Sequence, residues 1–469
     1  MDMPPEEFRR AAHQAVDWMA DYLAGSGAYP VLPGIRPGDL VSQLPSAAPL
    51  QGEPIEAILA DFESQIVPAL THWNHPRFFA YFAVSASGPG VLAEMLTAAM
   101  NVNGMLWKSS PAATELEQTT LAWLRDALGF PAHWFGIIYD TASISTMHAI
   151  AAARERADPE SRRRGGDGSL VLYTSEHSHS SVEKGAITLG IGQNNVRRIA
   201  VDDAFRMRPD LLEAAILADR AAGKRPFCAV ATTGTTSTTS VDPVPAIAAI
   251  AHRHGLWLHV DAAYGGPAAI VPELRPFFDG VELADSLVVN PHKWLFTPID
   301  ISVLYTAHPD ILRCAFALGA EYLKTSEDER AVNFNDYGIQ LGRRFRSLKL
   351  WFVLRYFGRD RLAQMIREHV EWAQRLAALI EAHPDFEVAA PHPFSLVCFR
   401  HKGGDAVNRR LLDALNASGH AFLSHTVLNG RFVLRLAIGN IHTTWEDVFS
   451  TWERIVRLAY DPPPPEPLS

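Results

Sequence analysis

The sequence predicts an α/β fold built on a mainly parallel, doubly wound sheet, with a helical N-terminal segment and a small α+β C-terminal domain. Three observations lead there. Short apolar runs alternate with helix-like segments from about Tyr81 to Arg359. Several of these runs end in polar residues, where an open parallel sheet binds its ligands. The 469 residues also exceed what one hydrophobic core usually supports. We therefore expect three segments, 1–83, 84–362 and 363–469.

In the first segment, Phe8, Ala12, Ala15, Met19 and Leu23 fall near helical spacing. The Pro- and Gly-rich stretch "AGSGAYPVLPGIRPGDLVSQLPSAAPLQGEP" reads as extended, and a second helix is expected from Pro54 to about Val67. This segment is too small and too apolar to stand alone. It is expected to pack on another surface, a second copy of the chain being the favoured one.

In the middle segment "FGIIYD" reads as a strand and "ASISTMHAIAAARERA" as the helix after it. "SLVLYTS" and "SSVEKGAITLG" repeat the pattern, then "FCAVATTG" and "DPVPAIAAIAHRHG". "LWLHVDAAY" and "DSLVVNPHK" complete the run of strands. Beyond the helical "RRFRSLKLWFVLRYFG", a further helix leads to strands "FEVAAP" and "SLVCFRH", a helix near Ala406–Ser418 and "RFVLRLAIG". The "PPPPEP" tail reads as polyproline-like or disordered.

Composition excludes several function classes. Apolar residues make up 48% and charged residues 20%, and the formal charge of −10 is spread without long acidic runs. That balance argues against nucleic acid or an anionic membrane as a partner. No window has eighteen uninterrupted apolar residues, and the N-terminus lacks a signal peptide's apolar segment, so a cytoplasmic protein is expected. Cys228, Cys314 and Cys398 lie far apart and suggest neither disulfides nor a thiolate metal site.

The strand ends carry the chemistry. They supply Thr141-Ala142-Ser143, His177 and His179, Gly234-Thr235-Thr236, Asp261-Ala262-Ala263, and Asn290, His292 and Lys293. Singly, each has an ordinary reading. Lys293 could snorkel from a strand end, Asp261 could cap a helix, and Thr141 and Ser143 could be N-caps. His177 and His179 could be a metal pair, although no third ligand type stands near them. Together they suit pyridoxal phosphate. A lysine at the end of a core strand is costly as an ammonium but useful as an amine that joins an aldehyde cofactor covalently. Asp261 would keep the pyridine nitrogen protonated and so make the ring an electron sink. Thr141, Ala142 and Ser143 would meet the phosphate at a helix start. His179 would stack on the ring or donate a proton. Neither a complete dinucleotide fingerprint, nor a P-loop, nor a Gly-x-Ser-x-Gly elbow occurs.

In order along nearly the whole chain stand "HPRFFAYF", "SSPAATELE", "DTAS", "HSSVEK", "TTGTT", "HVDAAYGG", "NPHKW" and "LGRRFRSLKLW". With these segments the sequence resembles the aromatic L-amino-acid decarboxylases, the group II pyridoxal-phosphate decarboxylases. The resemblance implies a fold type I (aspartate-aminotransferase-like) large domain and a homodimer embraced by its N-terminal helices. It implies that Lys293 carries the cofactor, that Asp261 pairs with the ring nitrogen, and that His179 stacks on the ring. Thr141, Ala142 and Ser143 match the phosphate-side loop. Thr235, Ala263, Asn290 and His292 fall at further cofactor contacts. Tyr81, Phe82, Met105 and Trp107 are candidate walls for an aromatic substrate side chain. The implied reaction releases CO2 from the amino acid and returns a proton to Cα, giving an arylalkylamine.

The segment "EYLKTSEDERAVNFNDYGIQ" resembles the family's mobile catalytic loop. Where many members have a proton-donating tyrosine, seven residues before Leu341, this chain has Phe334. In relatives, phenylalanine there accompanies aldehyde synthesis with O2. Tyr337, His179 or water could return the proton instead, and the amine-forming reading is preferred. A non-catalytic binding protein on the same fold is the alternative of another class, and retention of Lys293 and Asp261 opposes it.

Overall fold

The computed structural model describes residues 2–319 and 330–460. Residues 320–329, which include part of the expected catalytic loop, and the proline-rich tail lie outside the described residues. The described chain divides into two compact units. One is drawn from Val84–Leu379 and Val388–Cys398, the other from Met1–Ala83, Ile380–Glu387 and Phe399–Ser469.

The first of these holds a seven-stranded sheet. Its strands are β1 (Phe135–Tyr139), β2 (Leu170–Ser175), β3 (Val196–Ile199), β4 (Arg225–Thr232), β5 (Trp257–Asp261), β6 (Ser286–Val289) and β7 (Ser302–Thr306), in the order β1-β7-β6-β5-β4-β2-β3. Neighbours from β6 to β3 pair parallel, and β7 runs against both β1 and β6. Strands β2, β5 and β6 are buried at every position, which is why they read as unbroken apolar runs rather than alternating ones. The helix Ala142–Ala157 packs on β1 and on β4 to β7. Its buried stretch is rich in alanine, from Ala149 to Ala153, and small side chains allow close approach to the sheet.

The boundary expected at residue 362 does not interrupt this unit. The helix Ser347–Ala382 runs through it, with a break at Gly358, where φ is +69°. His369, beyond the expected boundary, accepts a hydrogen bond from Trp294 Nε1 at 3.0 Å.

In the other unit, β10 (Ser424–Leu428) and β11 (Arg431–Ala437) form a hairpin closed by Asn429 and Gly430, both at positive φ. They belong to a four-stranded sheet, order β10-β11-β9-β8, with β8 (Phe386–Val388) and β9 (Leu396–His401). The N-terminal segment finds part of its missing surface here, within its own chain. Phe79 N–H donates to Phe422 O at 2.9 Å, Ala437 N–H donates to Phe79 O at 2.9 Å, and Val31 N–H donates to Gly419 O at 3.0 Å. Val31, Phe78, Ala80 and Ala83 form a small core against Phe422. The helix Pro5–Gly25 still buries no residue, and Phe8 is 62% exposed.

Candidate active site

The parallel strands deliver their last residues to one end of the sheet, and the polar residues collect there. β5 ends in Asp261, which stands opposite Thr232 of β4 and Val288 of β6. After β6 the chain enters the short helix Pro291–Trp294, which carries His292 and Lys293. Asp261 and Lys293 thus follow neighbouring strands. Asp261 is buried, and its Oδ1 accepts Ala263 N–H at 3.0 Å. Desolvation pulls the Lys293 pKa below the ordinary lysine value, and the Asp261 carboxylate pulls it upward. Such an amine sheds its proton more readily than a surface lysine, as a nucleophile requires.

His179 follows β2. Its Nδ1 accepts Ser181 N–H at 3.2 Å and lies 2.9 Å from Ser181 Oγ. With Nδ1 accepting, the neutral ring carries its proton on Nε2. Desolvation lowers the His179 pKa, Asp261 raises it, and Lys293 lowers it again. Lys293, Asp261 and His179 therefore share one electrostatic neighbourhood.

Thr141 caps the helix Ala142–Ala157, and its carbonyl accepts the N–H groups of Ile144 and Ser145. The amides of Ala142 and Ser143 precede these first intrahelical bonds, so they are donors at the positive end of a helix. Thr235 is buried, and its Oγ1 accepts Ser240 N–H at 3.0 Å. Ala263 O accepts Asn290 N–H at 3.1 Å, which ties the turn after β5 to the turn after β6. His292 is buried, and its Nδ1 accepts Ile301 N–H at 2.9 Å.

The remaining expected residues have the following surroundings. Phe334, 1% exposed, lies 6.3 Å from Phe135, with the Arg343 guanidinium 4.4 Å over its ring. Tyr337 stacks on Phe135 at 4.9 Å, and its carbonyl accepts Tyr139 O–H. Phe135 is the first residue of β1 and Tyr139 its last, so this segment packs along the whole strand. Met105 and Trp107 go with that segment: Asn335 N–H donates to Met105 O, and Trp107 N–H to Asn333 Oδ1, both at 3.1 Å. Tyr81 and Phe82 belong to the other compact unit. There Tyr81 packs edge-on to Phe422 at 5.8 Å, and Arg435 lies 5.5 Å from the Phe82 ring. His177 lies edge-on to Phe205 at 5.4 Å. Among the described residues no three His, Cys, Asp or Glu side chains gather as metal ligands.

Comparison with known families shows what the chain is related to. Residues 37–402 match the pyridoxal-dependent decarboxylase conserved domain. The chain belongs to the pyridoxal-dependent decarboxylase family. It is 41% identical to the phenylacetaldehyde synthase of a Rosa hybrid cultivar, over 96% of this chain and 93% of that protein. Among solved structures, Oryza sativa TDC with PLP and tryptamine superposes with a TM-score of 0.94 at 36% identity, covering 98% of this chain and 99% of that one. Catharanthus roseus tryptophan decarboxylase in complex with L-tryptophan gives 0.93 at 40% identity, with the same coverage.

As a pyridoxal-dependent decarboxylase the protein uses pyridoxal phosphate, and the strand-end residues fit it. They offer an amine of lowered pKa, a buried carboxylate beside it and a helix start for the phosphate. Asn290 Oδ1, Thr232 Oγ1 and Thr233 Oγ1 are buried with no partner among the described residues, as expected of polar atoms that face a ligand. A Cβ on Gly265 would come within 2.5 Å of Thr233 O, and one on Gly234, at φ +93°, within 3.2 Å of Gly265 N. The turns after β4 and β5 close on each other because both positions are glycine. Thr232, Thr233 and Gly265 lie within "TTGTT" and "HVDAAYGG" but are not among the residues expected at the site. The signal was the small-residue content of two neighbouring strand ends.

Proposed function

We propose that the protein decarboxylates an aromatic L-amino acid to the arylalkylamine and CO2, working as a homodimer. The observation that carries this is the pairing of Lys293 with Asp261 across the ends of neighbouring parallel strands. The aromatic substrate class is supported by the likeness to tryptophan decarboxylase and phenylacetaldehyde synthase, 40% and 41% identical. Apolar side chains left open on the single chain support the dimer: Phe8, Leu92, Leu96 and Met100 are all exposed. A cytoplasmic place of action belongs to the same reading, supported by three free cysteines.

Each site residue has a role in this reading. Lys293 binds the cofactor through its amine and yields it to the substrate amine. Bound there, pyridoxal phosphate supplies a protonated ring that accepts the electron pair left when CO2 departs. Asp261 keeps a negative charge beside the ring nitrogen. Thr141, Ala142 and Ser143 hold the phosphate, and Thr235, Ala263 and Asn290 complete the walls. His179, with its proton on Nε2, would stack on the ring and return a proton to the substrate Cα. Met105, Trp107, Tyr81 and Phe82 are proposed substrate walls. Holding the Cα–carboxylate bond perpendicular to the ring selects which bond breaks, so orientation is the main catalytic contribution.

A second reading rests on Phe334, which has no proton to give. On the same scaffold O2 would intercept the carbanion, and amino acid, O2 and water would become aldehyde, CO2, ammonia and H2O2. The test is incubation with phenylalanine, tyrosine, DOPA and tryptophan, measuring amine, CO2 and peroxide. Amine equal to CO2 supports decarboxylation. Peroxide equal to CO2, without amine, supports the aldehyde synthase instead.

A further inference from the structure

His292 and Asn290 pose a hydrogen-bonding problem with one solution. Ile301 N–H donates to His292 Nδ1 at 2.9 Å, so Nδ1 is an acceptor. The ring is buried and neutral, its pKa depressed to about 3 by desolvation and by the nearby Lys293 and Lys349 charges. A neutral imidazole with an accepting Nδ1 carries its proton on Nε2, which must then donate. The group it meets is the Asn290 amide, at 3.2 Å through Nδ2. In that orientation two donors oppose each other, and the amide Oδ1 is buried without a partner among the described residues. A half-turn of the amide removes both faults, because oxygen and nitrogen are told apart by their partners. Oδ1 then accepts from Nε2–H, and the N–H2 group takes the place where Oδ1 met no partner among the described residues.

We infer that His292 is a positioning residue that acts through Asn290. Its Nε2–H holds the Asn290 oxygen, so that the Asn290 amide N–H2 points at an anionic oxygen of the cofactor. The chain is rigid at both ends. Asn290 N–H is fixed to Ala263 O at 3.1 Å, and Lys293 N–H to Asn290 O at 3.0 Å, so the nucleophile, the donor and its holder lie in one short turn. This rests on Asn290 standing at the cofactor site. It changes the part of His292 from a direct contact to a support.

The test is a double-mutant cycle on pyridoxal-phosphate affinity, measured by titrating the apoprotein and following ligand absorbance, with apoprotein melting as a fold control. H292L and N290A are each expected to raise Kd about tenfold, the size of one charge-assisted hydrogen bond. The double variant should lose no more than either alone. H292Q, which retains an N–H donor, should bind within about twofold of the parent. N290D would accept from Nε2–H but repel an anion, so it should weaken binding while apoprotein melting stays near the parent's. Additive losses in the cycle, or N290D binding as tightly as the parent, would overturn the inference. Repeating the titration with pyridoxal identifies the oxygen: a loss confined to the phosphorylated ligand assigns the phosphate, and an equal loss assigns the ring oxygen. If the parent itself fails to bind the coenzyme, the cofactor site is what fails, not the part given to His292.

Discussion

The carboxylate of Asp261 raises the pKa of the very amine, Lys293, that burial lowers, and the two follow neighbouring parallel strands. Replacing Asp261 with Asn removes the upward pull, so Lys293 should deprotonate at still lower pH. The pH dependence of acylation of that lysine in the apoprotein measures this. Loss of one partner of a buried charge pair costs about 3 kcal/mol. Expressed in the reaction, that is about a hundredfold in kcat. A D261N variant with parental kcat and an unmoved lysine profile would separate the two residues functionally.

Stability should fall on the acid side of neutrality. His75, His148 and His259 are depressed to about 4, and His292 and His369 to about 3, all chiefly by desolvation. Each folded pKa lies below the ordinary 6.5, so as pH falls the unfolded chain takes up protons first. The stability from these neutral rings is complete above about pH 6.5 and is lost as pH falls towards 4. Asp242 works the other way. Its burial raises its pKa from 3.8 to about 6, so the folded state binds this proton first and gains stability as pH falls through 6. Urea midpoints between pH 7 and 4.5 should therefore drop, and D242N should make the drop steeper. A flat profile in the parent, or a shallower one in D242N, would contradict this.

Gly265 should not tolerate a side chain. The Thr233 carbonyl 2.5 Å from its Cβ position is backbone and has little room to retreat. G265A is expected to lose about 2 kcal/mol of stability and much of its coenzyme affinity. Gly52, with open space around it, provides the control: G52A should leave both unchanged. Chemical denaturation and coenzyme titration decide the matter.

Phe334 is the test of product choice. Where the parent releases peroxide, F334Y, which restores a phenolic proton, should move products towards amine, read as less peroxide per CO2. Its hydroxyl must also be accommodated beneath Arg343, whose guanidinium lies 4.4 Å from the ring, so the variant should melt lower than the parent. An unchanged peroxide ratio would show that residue 334 does not set the partition.

Much of the sheet and its site is legible in the sequence because buried parallel strands are unbroken apolar runs and their ends are abruptly polar. β5 closing on Asp261 and β6 leading to Asn290 and Lys293 both read in this way. β3 escapes because "VRRI" is a half-exposed edge, and β10 because "SHTVL" alternates as an edge strand does. β7, buried at every position, is absent from the strands read above, and periodicity does not set its direction, which runs against both neighbours. The packing of Phe334 on Phe135 was equally hidden, since it joins residues about two hundred apart. So was the bonding of Phe79 to Phe422 and Ala437, which puts the N-terminal segment in one compact unit with C-terminal residues. The orphaned Asn290 and Thr232 atoms depend on side-chain surroundings that no sequence pattern encodes.

The most direct measurement is borohydride reduction of the purified holoprotein, followed by peptide mass mapping. The pyridoxyl group should be fixed on Lys293, and K293R should show neither the near-visible absorbance band nor the label. Labelling of another lysine, or a band that survives in K293R, would contradict the assignment of the site.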